Sequence, residues 1–174
     1  MTEAKKESKT LVVYFSASGM TRRVAEEAAR FLHADIFEIR PEEPYTDHDL
    51  DYIDKSTRVW VEHRNPAARP AYVGDVENWK DYDTVLIGYP LWWAEAPHVV
   101  YTFVESHDFS GKQVIPFSTA ASTDQGDSGL HLGKAAGSGS WAKGIRFYER
   151  ASRTEVDSWA KRVAADTISV MPLF

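Results

Sequence analysis

Apolar positions fall in short continuous runs, and the segments between them carry apolar residues at helical spacing. Residues 10–15 (TLVVYF) form such a run, the pattern of a strand buried on both faces of a parallel sheet. It breaks at the small residues Ser16, Ala17, Ser18 and Gly19. Residues 21–32 follow with Val24, Ala28, Phe31 and Leu32 on one helical face. Residues 34–40 (ADIFEIR) predict a second strand, with Ile36 and Ile39 in its apolar set. Residues 41–80 are polar and longer than an ordinary connection, and residues 49–64 within them fit a helix. Residues 83–89 (DTVLIGY) give the clearest strand and end at Pro90. A helix is expected over 96–106, with Pro97 suited to its first turn. Residues 113–117 (QVIPF) predict a strand, 118–129 a small-residue loop, 130–136 a short helix and 143–148 a last strand. A final helix over 154–165 carries a capping-box pattern at Thr154 and Asp157.

Strands that alternate with helices predict an α/β fold with a parallel sheet covered on both faces. The 174 residues, 43% hydrophobic, are enough for one such domain over 10–174, preceded by a polar tail over 1–9. That tail lacks the apolar core of a signal peptide, and no apolar run reaches the roughly 20 residues of a membrane span. The formal net charge of -6 opposes nucleic acid binding. Zero cysteines exclude disulfides, thiolate metal sites and cysteine nucleophiles, and fit a cytoplasmic location.

In an open parallel sheet, ligands bind beyond the carboxyl ends of the strands. Three loops of unusual composition fall there: 16–21, 90–95 and 118–127. The first, Ser16-Ala17-Ser18-Gly19-Met20-Thr21, leads into a helix N-terminus, where free amides and partial positive charge suit a phosphate. A plain N-cap would use the same residue types. No Gly-Lys-Ser/Thr follows and no GxGxxG is present, which sets aside the usual nucleoside triphosphate and dinucleotide motifs. The second loop, Pro90-Leu91-Trp92-Trp93-Ala94-Glu95, offers adjacent indoles. Neighbouring Trp residues do not both fit one core, so at least one is expected to line a site for a flat conjugated ligand. The third loop, with Ser118, Thr119, Ala120, Ala121 and Asp127, supplies hydroxyl and amide donors suited to ring carbonyls.

Together these loops resemble the flavodoxin family. Tyr14-Phe15-Ser16-Ala17-Ser18-Gly19-Met20-Thr21 is similar to its phosphate loop. Residues 87–93, together with Glu62-His63 and Arg69-Pro70, look like a short flavodoxin-like subfamily. The similarity runs from residue 10 to about residue 163. The resemblance implies a three-layer sandwich, with a five-stranded parallel sheet in the order 2-1-3-4-5. It also implies FMN as cofactor, held by loops 16–21, 90–94 and 118–127. Met20 stands where the family has Asn, which keeps the backbone N–H but loses an amide donor. Ala120-Ala121 replaces glycines of the third loop, and Arg22 and Arg23 add charge near the phosphate end. The function implied is low-potential electron transfer between redox partner proteins, by a monomer or weak dimer. The alternatives are an FMN-dependent NAD(P)H:acceptor (quinone-type) oxidoreductase, for which the aromatic stretch 45–79 is a candidate pocket, and a scaffold that has lost FMN.

Other chemistries lack their residues. A phosphoryl-accepting receiver needs acids at strand ends occupied here by Tyr14-Phe15 and Tyr89-Pro90. The six His show no metal-ligand spacing, and no GxSxG elbow is present. Asp47, Asp49 and Asp51 lack the Gly and terminal Glu of a calcium loop and suit a solvated turn.

Overall fold

The computed structural model describes residues 9–165, 168 and 171–172. Strand β1 (Thr10–Tyr14) sits between β2 (Asp35–Glu38) and β5 (Thr84–Pro90), and β6 (Gln113–Ala120) lies beyond β5, all parallel. The fifth position is divided. β7 (Ser140–Trp141) pairs with Gln113–Val114, and β8 (Ile145–Tyr148) pairs with Phe117–Ala120. Pro116 lies at the break, and a proline offers no ladder N–H. Counting β7 and β8 as one position gives the expected 2-1-3-4-5 order. An unexpected strand, β9 (Met171–Pro172), adds antiparallel to β7.

The alternation of each strand sends side chains to two cores. Leu11, Val13, Val85 and Ile87 point to the layer of α3 (His98–Glu105) and α4 (Ser128–Ala136). Val12, Leu86, Ile115 and Phe117 point to the layer of α1 (Met20–Leu32) and α5 (Arg153–Ala164). Helix α1 turns Val24, Ala25, Ala28 and Ala29 inward, and these small residues bring it close to the sheet. Phe31 stays half-buried.

Several local expectations shift. β6 runs three residues past its predicted end, so Ser118, Thr119 and Ala120 are strand residues. The helix expected over 49–64 is confined to α2 (Arg58–Arg64). The residues before it form turns capped by Asp49 and Asp51, whose carboxylates accept from the amides of Thr46 and Ile53 at 3.0 and 2.9 Å. The rest of 41–80 is tied down by the two-residue strands β3 (Arg40–Pro41) and β4 (Tyr72–Val73), which pair antiparallel. Ile36 is exposed because β2 is an edge strand, whereas Ile39 is buried. Pro97 caps α3 instead of opening its first turn. The capping box of α5 lies two residues earlier than its predicted place. Ser152 Oγ accepts from Glu155 N at 3.2 Å, and Glu155 Oε2 accepts from Ser152 N at 3.0 Å. The expected tail lies outside the described residues over 1–8.

Candidate functional site

Loop 16–21 leaves the buried end of β1 and reverses at Gly19. Its φ of 96° is left-handed backbone, which glycine adopts without a Cβ penalty. Nothing lies within 4 Å of where a Cβ would stand, so the space above the turn is open. Gly19 N donates to Ser16 Oγ at 3.0 Å and closes the turn. The first helical bond runs from Arg23 N to Gly19 O at 3.1 Å. The amides of Met20, Thr21 and Arg22 precede that bond and face out of the helix end. No acid occupies the first turn of α1. The Thr21 hydroxyl turns inward and meets Thr119 Oγ1 at 2.7 Å, fastening this loop to the end of β6. Arg22 is held by Glu38 at 2.6 Å and by Tyr14 OH at 3.3 Å. Arg23 donates to the carbonyls of Ala151 and Glu149 at 2.8 and 3.2 Å. Both guanidinium groups are thus committed elsewhere, and the local positive charge comes from the helix end.

Loop 90–95 is a tight hairpin. Trp92 N donates to Glu95 O at 2.9 Å and Glu95 N to Trp92 O at 3.1 Å. Trp93 and Ala94, at φ 51° and 63°, form its two left-handed corners. The turn separates the two indoles. Trp92 packs edge-on against Phe15 at 5.6 Å and Tyr45 at 5.4 Å, joining the core. Trp93 is 36% exposed and stacks on His63 of α2 at 4.3 Å, with Trp60 at 4.7 Å. Trp60 Nε1 in turn donates to Tyr52 O at 2.6 Å and anchors the 50s segment beside the hairpin.

The third loop hangs from a buried polar network. Ser118 Oγ donates to Gln125 Oε1. Gln125 Nε2 donates to Tyr89 OH at 3.1 Å and to Lys143 O at 3.2 Å. Tyr89 OH and Ser128 Oγ lie 2.8 Å apart. Burial pushes the Tyr89 phenol up to about 12. Residues 121–124 emerge exposed above this anchor.

Between the hairpin and this loop opens a cleft of about 440 Å³. Of the residues singled out in the sequence, Leu91, Trp92, Trp93, Ala120 and Ala121 line it. Ser16, Ala17, Ser18, Gly19, Met20 and Thr21 lie outside that lining, at the neighbouring helix end. Pro90 ends β5, Ala94 turns the hairpin, and Ser118 and Thr119 are buried beneath the cleft. Asp127 is displaced to the start of α4, 3.8 Å from Lys143 Nζ. Leu50, Tyr52, Val59, Ser122, Thr123 and Glu149 also line the cleft and were not picked out individually. The aromatic richness of 45–79 was the only signal for Tyr52. Leu50, Val59 and Glu149 carried none, since only the tertiary path of the chain brings them there. Among the described residues, no three His, Asp or Glu side chains form a metal-binding group, and no helix is long and apolar enough to cross a membrane.

The switch-point cleft, the helix end beside it and the sheet order define a flavodoxin-like α/β protein. The flavodoxin family model matches residues 9–163, and the chain belongs to that family. Two solved Bacteroides structures, which carry the provisional name flavoprotein, are similar over nearly their whole length. The protein from Bacteroides eggerthii DSM 20697 is 39% identical, with 91% of this chain and 99% of the other covered and a TM-score of 0.83. That from Bacteroides uniformis ATCC 8492 is 41% identical, with 90% and 99% covered and a TM-score of 0.84. A flavoprotein from Lactobacillus acidophilus NCFM, solved in complex with FMN, shares the fold at 23% identity, with 88% and 99% covered and a TM-score of 0.66. No curated protein matches the chain.

Proposed function

We propose that the protein binds FMN and serves as a cytoplasmic, low-potential electron carrier between redox partner proteins. The observation that carries this reading is the adjacency of an acid-free helix end to an indole-walled cleft on the same edge of the sheet. The residues present fit the group. The amides of Met20, Thr21 and Arg22, with the exposed Ser18 hydroxyl, would hold the phosphate. Leu91, Trp92, Trp93 and the backbone of 120–123 would hold the ring. Bound flavin supplies one- and two-electron chemistry, and the protein sets its potential. Glu149 in the cleft wall and the net charge of -6 would contribute a negative field at the ring, opposed by Arg146, which donates to the carbonyls of Ser122 and Thr123. That field lowers the potential of any reduction step that leaves negative charge on the ring.

Two measurements test the proposal. FMN should co-purify, or bind in calorimetry, at one per chain, and a colourless protein indifferent to added FMN refutes it. Redox titration of the complex should then resolve two separate one-electron steps with slow NAD(P)H oxidation. A single two-electron wave with rapid NAD(P)H turnover would transfer the assignment to the quinone-type oxidoreductase. That second reading is supported by the open flank of the cleft at Tyr52, which is 70% exposed.

A further inference from the structure

Arg146, on the edge strand β8, lies behind the cleft and fastens part of its wall. Its Nη1 donates to Thr123 O at 2.7 Å and to Ser122 O at 3.3 Å. The guanidinium stacks on the Tyr148 ring at 3.6 Å, and the side chain is only 11% exposed. Nη1 also lies 3.3 Å from Asp124 Oδ1, whose side chain is 91% exposed. Nε is buried without a hydrogen bond. A cation held so deep with a donor unpaired costs stability that an apolar side chain of similar length would not. Fold stability alone therefore does not account for Arg146.

Its effect on the loop does. A trans peptide sets C=O and N–H in opposite directions, and among the described residues no peptide bond is cis. The carbonyls of Ser122 and Thr123 are turned back to Arg146. The amides of Thr123 and Asp124 therefore turn the other way, to the side on which Ser122 and Thr123 line the cleft. Neither amide has a hydrogen-bond partner among the described residues. Charge acts in the same sense. The Asp124 carboxylate stands in water and is screened, whereas the enclosed guanidinium is screened much less. The wall at 122–124 thus presents two free donors with a cation behind them, opposing Glu149 across the same cleft.

We propose that Arg146 is a positioning residue for the flavin, an inference that rests on the FMN reading. It turns two loop amides toward the carbonyl edge of the ring, and its charge favours the reduced ring over the oxidised one. The test compares the wild-type chain with Arg146→Met, Arg146→Gln and Arg146→Lys, by calorimetry and redox titration with FMN. Both neutral variants should hold reduced FMN about tenfold more weakly relative to oxidised FMN. That ratio is a drop of about 59 mV for the one-electron step that leaves negative charge on the ring. Arg146→Lys keeps a donor cation and should recover most of the shift. In the wild-type chain, added oxidised FMN should move the amide NMR signals of Thr123 and Asp124. Unmoved potentials in the neutral variants overturn the inference. So does a loss of affinity equal for the two oxidation states, which is the mark of a merely structural role. If neither neutral variant folds, the wild-type amide signals decide, and signals that ignore bound FMN overturn it. A wild-type chain that takes up no FMN overturns the flavin reading and this inference with it. FMN bound with the potentials unmoved by substitution overturns this inference alone.

Discussion

Trp93 and Ala94 hold backbone conformations that usually fall to glycine. Each left-handed corner at an L residue costs about 1–2 kcal/mol. The tight hairpin that results sends Trp92 into the core and leaves Trp93 lining the cleft. Replacing the exposed Ala94 by glycine removes one strained corner without touching either indole. Ala94→Gly should raise stability by about 1 kcal/mol in urea unfolding, partly offset by the extra freedom of the unfolded chain. Tyr89 shows a second residue-scale effect, through its titration. Its phenol is neutral and fully buried, with its pKa raised from 10.0 to about 12 in the folded protein. A raised folded value means that the native state holds the proton more tightly than the unfolded chain. That contribution is fully present below pH 10, declines between 10 and about 12, and amounts to about 3 kcal/mol at most. Urea midpoints measured below and above this window should fall more for the native chain than for Tyr89→Phe, and parallel declines would contradict the assignment.

The elements that sequence pattern predicts well are those whose burial is uniform along their length. β1 and β5 are continuous apolar runs because both faces are covered, and their ends agree to within a residue or two. β6 was legible only to residue 117, because Ser118 and Thr119 look like loop residues in sequence. They are strand residues because the Gln125 side-chain amide, which accepts from Ser118, and the Thr21 hydroxyl, which meets Thr119, satisfy them in the interior. The same limit hid the structure of 41–80, where α2 is held by tertiary contacts of Trp60 and His63 with Trp93, which no local window contains. Packing between β5 and β6 also explains a glycine within an otherwise bulky strand. A Cβ on Gly88 would lie 2.1 Å from the Phe117 ring, which in turn packs on Trp159 at 5.4 Å. Gly88→Ala should therefore cost at least about 2–3 kcal/mol, because the ring has to leave a well-packed site. Additional truncation with Phe117→Leu should recover part of that loss, and thermal unfolding of the single and double variants checks it.

At the scale of the whole molecule, the candidate site is legible in sequence as three loops at strand ends but not as a surface. Strand ends told where a ligand would lie, since an open parallel sheet offers one such edge. The surface itself needs Leu50, Tyr52 and Glu149, which arrive from two connections whose paths follow from packing alone. Such a cleft is built largely from segments with little burial of their own, with residues 121–124 and Tyr52 among the exposed ones. Under the FMN proposal, a ligand that fills the space between these segments adds to global stability by mass action. With FMN in hundredfold excess over its dissociation constant, the gain is about 2.7 kcal/mol. For a chain of this length that raises Tm by roughly 5–10 °C. The rise should grow with the logarithm of FMN concentration, and riboflavin, which lacks the phosphate, should give a smaller one if the α1 end holds that group. An equal rise with riboflavin would place the binding energy in the indole cleft alone and leave the Gly19 turn as an ordinary helix cap.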